Sequence, residues 1–170
     1  MSRPPFLVPV AELARRPGVR QRLTLAGPLP GLALSSARLA GDDVVADVTV
    51  ESQGETMTVT GTATGRWEGE CRRCLETTGG EVTVQLSEVF EPHPIEGETY
   101  PLGREALDLE PVLREALALA LPLAPLCDEA CPGPDPDAHP VGTPPAEGED
   151  GEHGPPADPR WSALDALRFD

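Results

Sequence analysis

The chain has no lysine and no asparagine, and all 13 of its basic residues are arginine. Such a bias is read first as codon usage in a GC-rich genome, so arginine by itself says little about nucleic acid. No apolar run reaches the 18 or more residues that a membrane helix needs. The opening "MSRPPFLVPV" lacks the long apolar stretch and cleavage site of a secretory signal, so the reading is cytoplasmic. A Ser/His/Asp arrangement, a glycine loop that could cradle phosphate and a carboxylate pair with a positioned partner are all missing as well. An enzyme is not expected.

What is present is unevenly spread over the 170 residues, whose net charge is −16. Residues 1–40 carry six arginines against Glu12, a balance of +5, whereas residues 75–170 carry four arginines against 21 acids, a balance of −17. The overall charge repels phosphate, but the basic front relaxes that objection.

The length suits one compact domain over residues 1–131. Residues 10–16 read as a short helix closed by Pro17-Gly18. Leu23 and Leu25, alternating with Arg22 and Thr24, suggest a first strand. Leu32–Leu39 and Val44–Glu51 then flank "AGDD" as a hairpin. From Thr56 to Gly69 the alternation is clearest, with threonines and Arg66 on one face and Met57, Val59, Gly61, Ala63, Gly65, Trp67 and Gly69 on the other. Glycine at every fourth position of the apolar face leaves room for large neighbours and for coiling. Val82, Val84 and Leu86 continue the meander, and Val89 breaks its phase, which predicts a bulge near Ser87-Glu88.

At "DLEPVLREALALALP" the period becomes 3.6. Asp108 is the expected N-cap, Pro111 sits in the first turn, and Leu109, Val112, Leu113, Ala116, Leu117 and Leu121 share a face. The fold class is therefore α+β: a strongly curved antiparallel sheet, a half-barrel-like meander, covered by one main helix. Residues 132–157, with eight prolines, five glycines and six acids, read as a disordered acidic linker. Residues 158–170 read as a short docking helix with Trp161, Leu164 and Leu167 at helical spacing.

The four cysteines form two close pairs, Cys71-x-x-Cys74 and Cys127-x-x-x-Cys131, separated by 52 residues. A reducing compartment disfavours structural disulfides. The favoured reading is one tetrahedral zinc site, each pair giving two thiolates from a tight turn and the long helix bringing the second pair across the sheet. A redox dithiol would need a helix N-terminus, yet Cys71 closes a strand. Separate buried thiols without metal are the third reading. His93, His139 and His153 lie in Pro- or Gly-rich stretches and read as solvated loop residues.

Arg66, Arg72 and Arg73 surround the first pair, and Arg15, Arg16, Arg20 and Arg22 precede the sheet. They suit phosphate contact, and equally they suit plain solvated charge. Trp67 lies on the apolar face and reads as core.

Taken in order, "ECRRCLE" after a long strand, "LDLEPVLREALALALPLAPLC", "DEAC", the terminal "DPRWSALDAL" and the opening "VAELARRPG" resemble the YceD-like family of large ribosomal RNA subunit accumulation proteins. The resemblance covers nearly the whole chain except the linker. It implies a non-enzymatic factor needed for accumulation of large-subunit ribosomal RNA, acting by binding the RNA or its precursor; genes of the family commonly lie beside one for a large-subunit ribosomal protein, which is a second candidate partner. Cys71 and Cys74 match the family's C-x-x-C, and Cys127 and Cys131 match the start of its second cluster. Many relatives continue that cluster with further cysteines, whereas "CPGPDPDAHPVG" has none. Either the two pairs combine or metal binding is lost. Two other functions stay open: an acidic module that chaperones a basic ribosomal protein, and a C-x-x-C thiol-disulfide oxidoreductase.

Overall fold

In the computed structural model residues 4–138 are described, apart from the side chain of Asp42. Their elements are β1 (Leu7–Pro9), β2 (Arg20–Pro28), β3 (Ala37–Gln53), β4 (Thr56–Glu70), β5 (Thr77–Glu91), β6 (Tyr100–Pro101), β7 (Ala106–Asp108) and α1 (Glu110–Ala120). Strands β2-β3-β4-β5-β6 form one open sheet, and β1 and β7 form a two-stranded ribbon. The main sheet is antiparallel except where β6 runs parallel to the end of β5. It does not close into a barrel.

Alternation decides which face is dry. Val44, Ala46, Val48 and Val50 of β3, Met57, Val59 and Ala63 of β4, and Val82, Leu86 and Phe90 of β5 are buried, while the intervening residues are largely exposed or half-buried. Helix α1 contributes Val112, Leu113 and Leu117 to the same core, with Leu109 and Leu121 at its two ends. Leu109 is the N-cap residue, and Asp108 acts one position earlier by accepting the Glu110 N–H at 3.0 Å. A two-residue loop, Gly54-Glu55, joins β3 to β4, and glycine meets its need for positive φ (85°).

Three expectations are corrected. Residues 11–15 form turns instead of a helix, with one i→i+4 bond from Ala14 N–H to Val10 and one i→i+3 bond from Arg16 N–H to Leu13. So short a segment, between Pro9 and Pro17, cannot recover the cost of nucleating a helix. The "AGDD" stretch is no hairpin turn, because β3 runs straight through it. Between Leu39↔Trp67 and Val44↔Gly65 the register shifts, and Gly41 takes φ 77° within the bulge. Pairing along the fifteen residues of β4 outweighs the local turn signal. The small turn lies earlier, where Leu34 N–H bonds to Ala37 and Leu39 N–H to Leu32. Finally, β5 has no bulge at Ser87-Glu88. Its register with β4 is unbroken from Phe90 to Thr77, so Val89 faces outward and the half-buried Glu88 takes the inward position.

Most of the linker (residues 139–157), the C-terminal helix expected over residues 158–170, and His139 and His153 lie outside the described residues. His93 is exposed in a loop.

Candidate metal centre

Strand β4 ends at Glu70, and the chain reverses into β5 through residues 71–76. The Cys71 N–H bonds to the Glu76 carbonyl at 2.8 Å, and the Leu75 N–H returns to the Cys71 carbonyl at 2.9 Å. Closing so tight a loop puts Leu75 at φ 64°, the single positive φ outside glycine among the described residues. Its side chain is nevertheless 67% exposed.

The second pair follows α1. Around it the Cys131 N–H bonds to the Asp128 carbonyl at 3.1 Å and the Ala130 N–H to Asp128 Oδ1 at 2.7 Å. Direct bonds join the two loops. Arg72 N–H donates to the Pro125 carbonyl at 2.9 Å, and Arg73 Nη1 donates to the carbonyls of Glu129 (2.9 Å) and Cys131 (3.0 Å). Ser36 Oγ donates to the Pro122 carbonyl at 3.0 Å. Gly69 permits this approach, since a Cβ there would lie 2.4 Å from the Ser36 carbonyl oxygen and 3.2 Å from Pro125 Cγ.

The two pairs meet. All four sulfurs lie within 4.8 Å of one another, with Cys71 Sγ 3.8 Å from Cys131 Sγ and Cys74 Sγ 3.7 Å from Cys127 Sγ. These are not disulfides, whose sulfurs stand about 2.05 Å apart. Four sulfurs set tetrahedrally about 2.3 Å from a central zinc would have edges of about 3.8 Å. Donor set and spacing therefore fit a four-thiolate ion site. Cys71 and Cys131 are buried, Cys74 is half-buried and Cys127 is exposed, as expected of a site at the end of a sheet.

The crowded sulfurs move the pKa values of Cys71, Cys74 and Cys127 in different directions. The backbone N–H of Cys74, then that of Cys127, stabilise the Cys71 thiolate, and its pKa falls to about 6. Cys127 is pushed up to about 12, first by its contact with Cys131 and then by those with Cys71 and Cys74. Cys74 receives an N–H from Glu76 that favours ionisation, but burial and the neighbouring thiols outweigh it and its pKa rises. Proton sharing of this kind is what a divalent cation would replace.

The seven arginines do not form one surface. Arg66 is exposed on the outer face of β4, opposite Glu81, and Arg72 is exposed on the cysteine loop. Arg73 is half-buried, and its guanidinium fastens the second loop. Arg15, Arg16, Arg20 and Arg22 are exposed near the other end of the sheet, with Arg20 paired to Glu51 at 2.9 Å. The row of Arg22, Thr49 and Thr60 lies six residues of β4 from Arg66, about 20 Å at strand rise. Trp67 packs against the core with its ring over Gly80, directly opposite in β5. Leu75 and the structural use of Arg73 escape a sequence reading; the tight C-x-x-C loop is the one signal that points to Leu75.

The family model of the large ribosomal RNA subunit accumulation protein YceD matches residues 59–168, which include both cysteine pairs. This chain belongs to the YceD family. It is similar to uncharacterized proteins of Mycobacterium tuberculosis (strain H37Rv) and Mycobacterium bovis, each 38% identical over 170 residues, covering 94% of this chain and 80% of the relative. An uncharacterized protein of Mycobacterium leprae is 32% identical over 141 residues, covering 76% of this chain and 64% of the relative. No solved structure gives a significant match. The family's name points to a role in large-subunit ribosomal RNA accumulation, and no catalytic activity is indicated. In this YceD member the two cysteine pairs, 52 residues apart in sequence, lie together in space. No helix among the described residues is long and apolar enough to cross a membrane.

Proposed function

We propose that the protein is a non-catalytic, cytoplasmic factor of ribosome biogenesis that supports accumulation of large-subunit ribosomal RNA by binding the RNA or its precursor. Cys71, Cys74, Cys127 and Cys131 hold a structural zinc ion. The observation that carries this reading is the convergence of the four sulfurs at the loop from which Arg72 projects. Zinc binding there supplies folding energy to the end of the sheet and fixes the loop. A strongly curved, half-barrel-like sheet carries α1 across its inner face in this proposal, leaving the outer face and cysteine loop free for RNA.

Arg66 and Arg72 are the first candidates for phosphate contact, with Arg15, Arg16, Arg20 and Arg22 as a second cationic group along the same molecule. Arg73 serves chiefly to join the loops. The test is binding of a large-subunit ribosomal RNA precursor over a salt series. Every phosphate that an Arg66→Glu/Arg72→Glu variant no longer neutralises lowers the salt slope by about one. Affinity and slope equal to those of the wild type, with zinc content unchanged, would remove these residues from the RNA surface.

A further inference from the structure

The open sheet has two edges, and they are finished differently. Strand β2 bears Arg20 and Arg22, ends at Pro28, and is flanked by the N-terminal segment. Pro5 fits against Gly27, where a Cβ would come within 2.3 Å of it, and Pro4, Pro5 and Leu7 meet Leu23 and Leu25 around a cavity of about 300 Å3. Charges, proline and a covering segment are the usual means of keeping an edge from pairing.

Among the described residues the β5 edge carries the acids Glu81 and Glu88, but no proline, and no segment covers most of its length. Strand β6 pairs with only Phe90 and Glu91 of its fifteen residues. The rest, Thr77–Val89, contains no proline or arginine, and no bulge interrupts its register with β4. Beside this open edge, between β5 and α1, runs a groove of about 390 Å3 whose lining includes Val84, Glu88, Tyr100, Glu115, Ala116 and Leu119. Leu119 is 82% exposed. The Tyr100 hydroxyl donates to Glu115 Oε2 at 2.7 Å, while Glu88 has no ion pair among the described residues. No arginine lines the groove. Partial burial and the nearby Glu115 push the Glu88 pKa up, as expected where two carboxylates lack a cation.

We propose that this groove docks an extended segment of a basic protein, which adds a strand to the open edge of β5 and sets an arginine or lysine between Glu88 and Glu115. Backbone pairing with β5 supplies affinity for any extended chain. The cation's aliphatic stem lies on Val84 and Leu119, and its head neutralises the two acids. Charge selects the occupant: an acidic lining repels phosphate, which excludes RNA from this groove, and a second copy would oppose Glu81 and Glu88 with its own acids. The proposal is independent of the RNA reading, because the groove contains none of the arginines assigned to RNA.

The test uses the full chain and a fluorescently labelled peptide in which arginine alternates with valine. A second peptide has alternate backbone nitrogens methylated, which leaves its charge unchanged but blocks strand pairing. The methylated peptide should bind about tenfold more weakly or worse. Glu88→Gln should weaken the parent peptide severalfold while leaving thermal stability at pH 7 undiminished. The edge-facing amides of β5, alternating from Thr77 to Ser87, should gain protection from hydrogen exchange in the complex. Equal binding of both peptides would show mere attraction to an acidic chain and would overturn the proposal. Unchanged affinity in Glu88→Gln, or displacement of the peptide by self-association of the chain, would also overturn it.

Discussion

Strands β4 and β5 form one long hairpin whose two ends are held by different physics. Toward the end that pairs Met57 with Phe90, Met57, Val59, Leu86 and Phe90 share a dry core with Leu109 and Leu113, each nearly or wholly buried. Toward the loop, inward positions are Gly65, Trp67 and Gly69, and buried apolar bulk gives way to four sulfurs and backbone bonds between loops. The first end is stabilised by transfer of apolar surface from water and forms without help from any ligand. The second has less of that surface, and in the proposed zinc form it draws the rest of its stability from the ion.

If the cysteines hold zinc as proposed, the largest way to break the comparison is to chelate it. Structural zinc contributes on the order of 10 kcal/mol in small thiolate sites. Chelation should abolish hydrogen-exchange protection at the amides of Cys71 and Leu75 while Val59 and Leu86 stay protected. Equal loss at both ends would mean that the hairpin is a single cooperative unit. Next in size is Leu117→Ala, which empties a site that is 0% exposed. It should cost about 2–5 kcal/mol in denaturant unfolding and leave metal content unaltered, attacking the apolar end alone.

A smaller effect of opposite sign is expected at Leu75. Glycine accepts φ 64° without the penalty of a Cβ, and a leucine that is 67% exposed contributes little burial, so Leu75→Gly should stabilise by about 1 kcal/mol. A melting temperature lowered by the change would show that Leu75 packs more than its exposure suggests. The smallest effect concerns Glu88, whose pKa is raised in the fold. Its protonated form is the better tolerated, so stability associated with it is present below the unfolded pKa and lost as pH rises through the folded one. Glu88→Gln should therefore be slightly more stable than wild type at pH 7, with the difference vanishing on acidification. An advantage that persisted at low pH would point to a cause other than charge.

The two ends also differ in how far they could be read from sequence. Alternation from Thr56 to Gly69 and the 3.6 period of α1 report burial directly, and both elements lie where those patterns place them. The "AGDD" stretch misleads because glycine with φ 77° serves a bulge as well as a turn, and only the partner strand decides between them. The short turn at residues 11–15 carries a helical composition but too little length. At the cysteine end, spacing suggested two turns of two ligands each, yet their meeting depends on contacts spanning 52 intervening residues. Arg73 could not be separated from Arg72 by pattern: they are adjacent, and only the carbonyls of Glu129 and Cys131 tell the clasp from the exposed cation.

Quantifying zinc bound to the purified chain and to each single Cys→Ser variant tests the central claim most directly. A site shared by Cys71, Cys74, Cys127 and Cys131 predicts one zinc per wild-type chain and a marked loss of affinity in all four variants, whichever loop is altered. Zinc held with undiminished affinity by the Cys127→Ser or Cys131→Ser variant, or a wild-type chain that binds none, would contradict it.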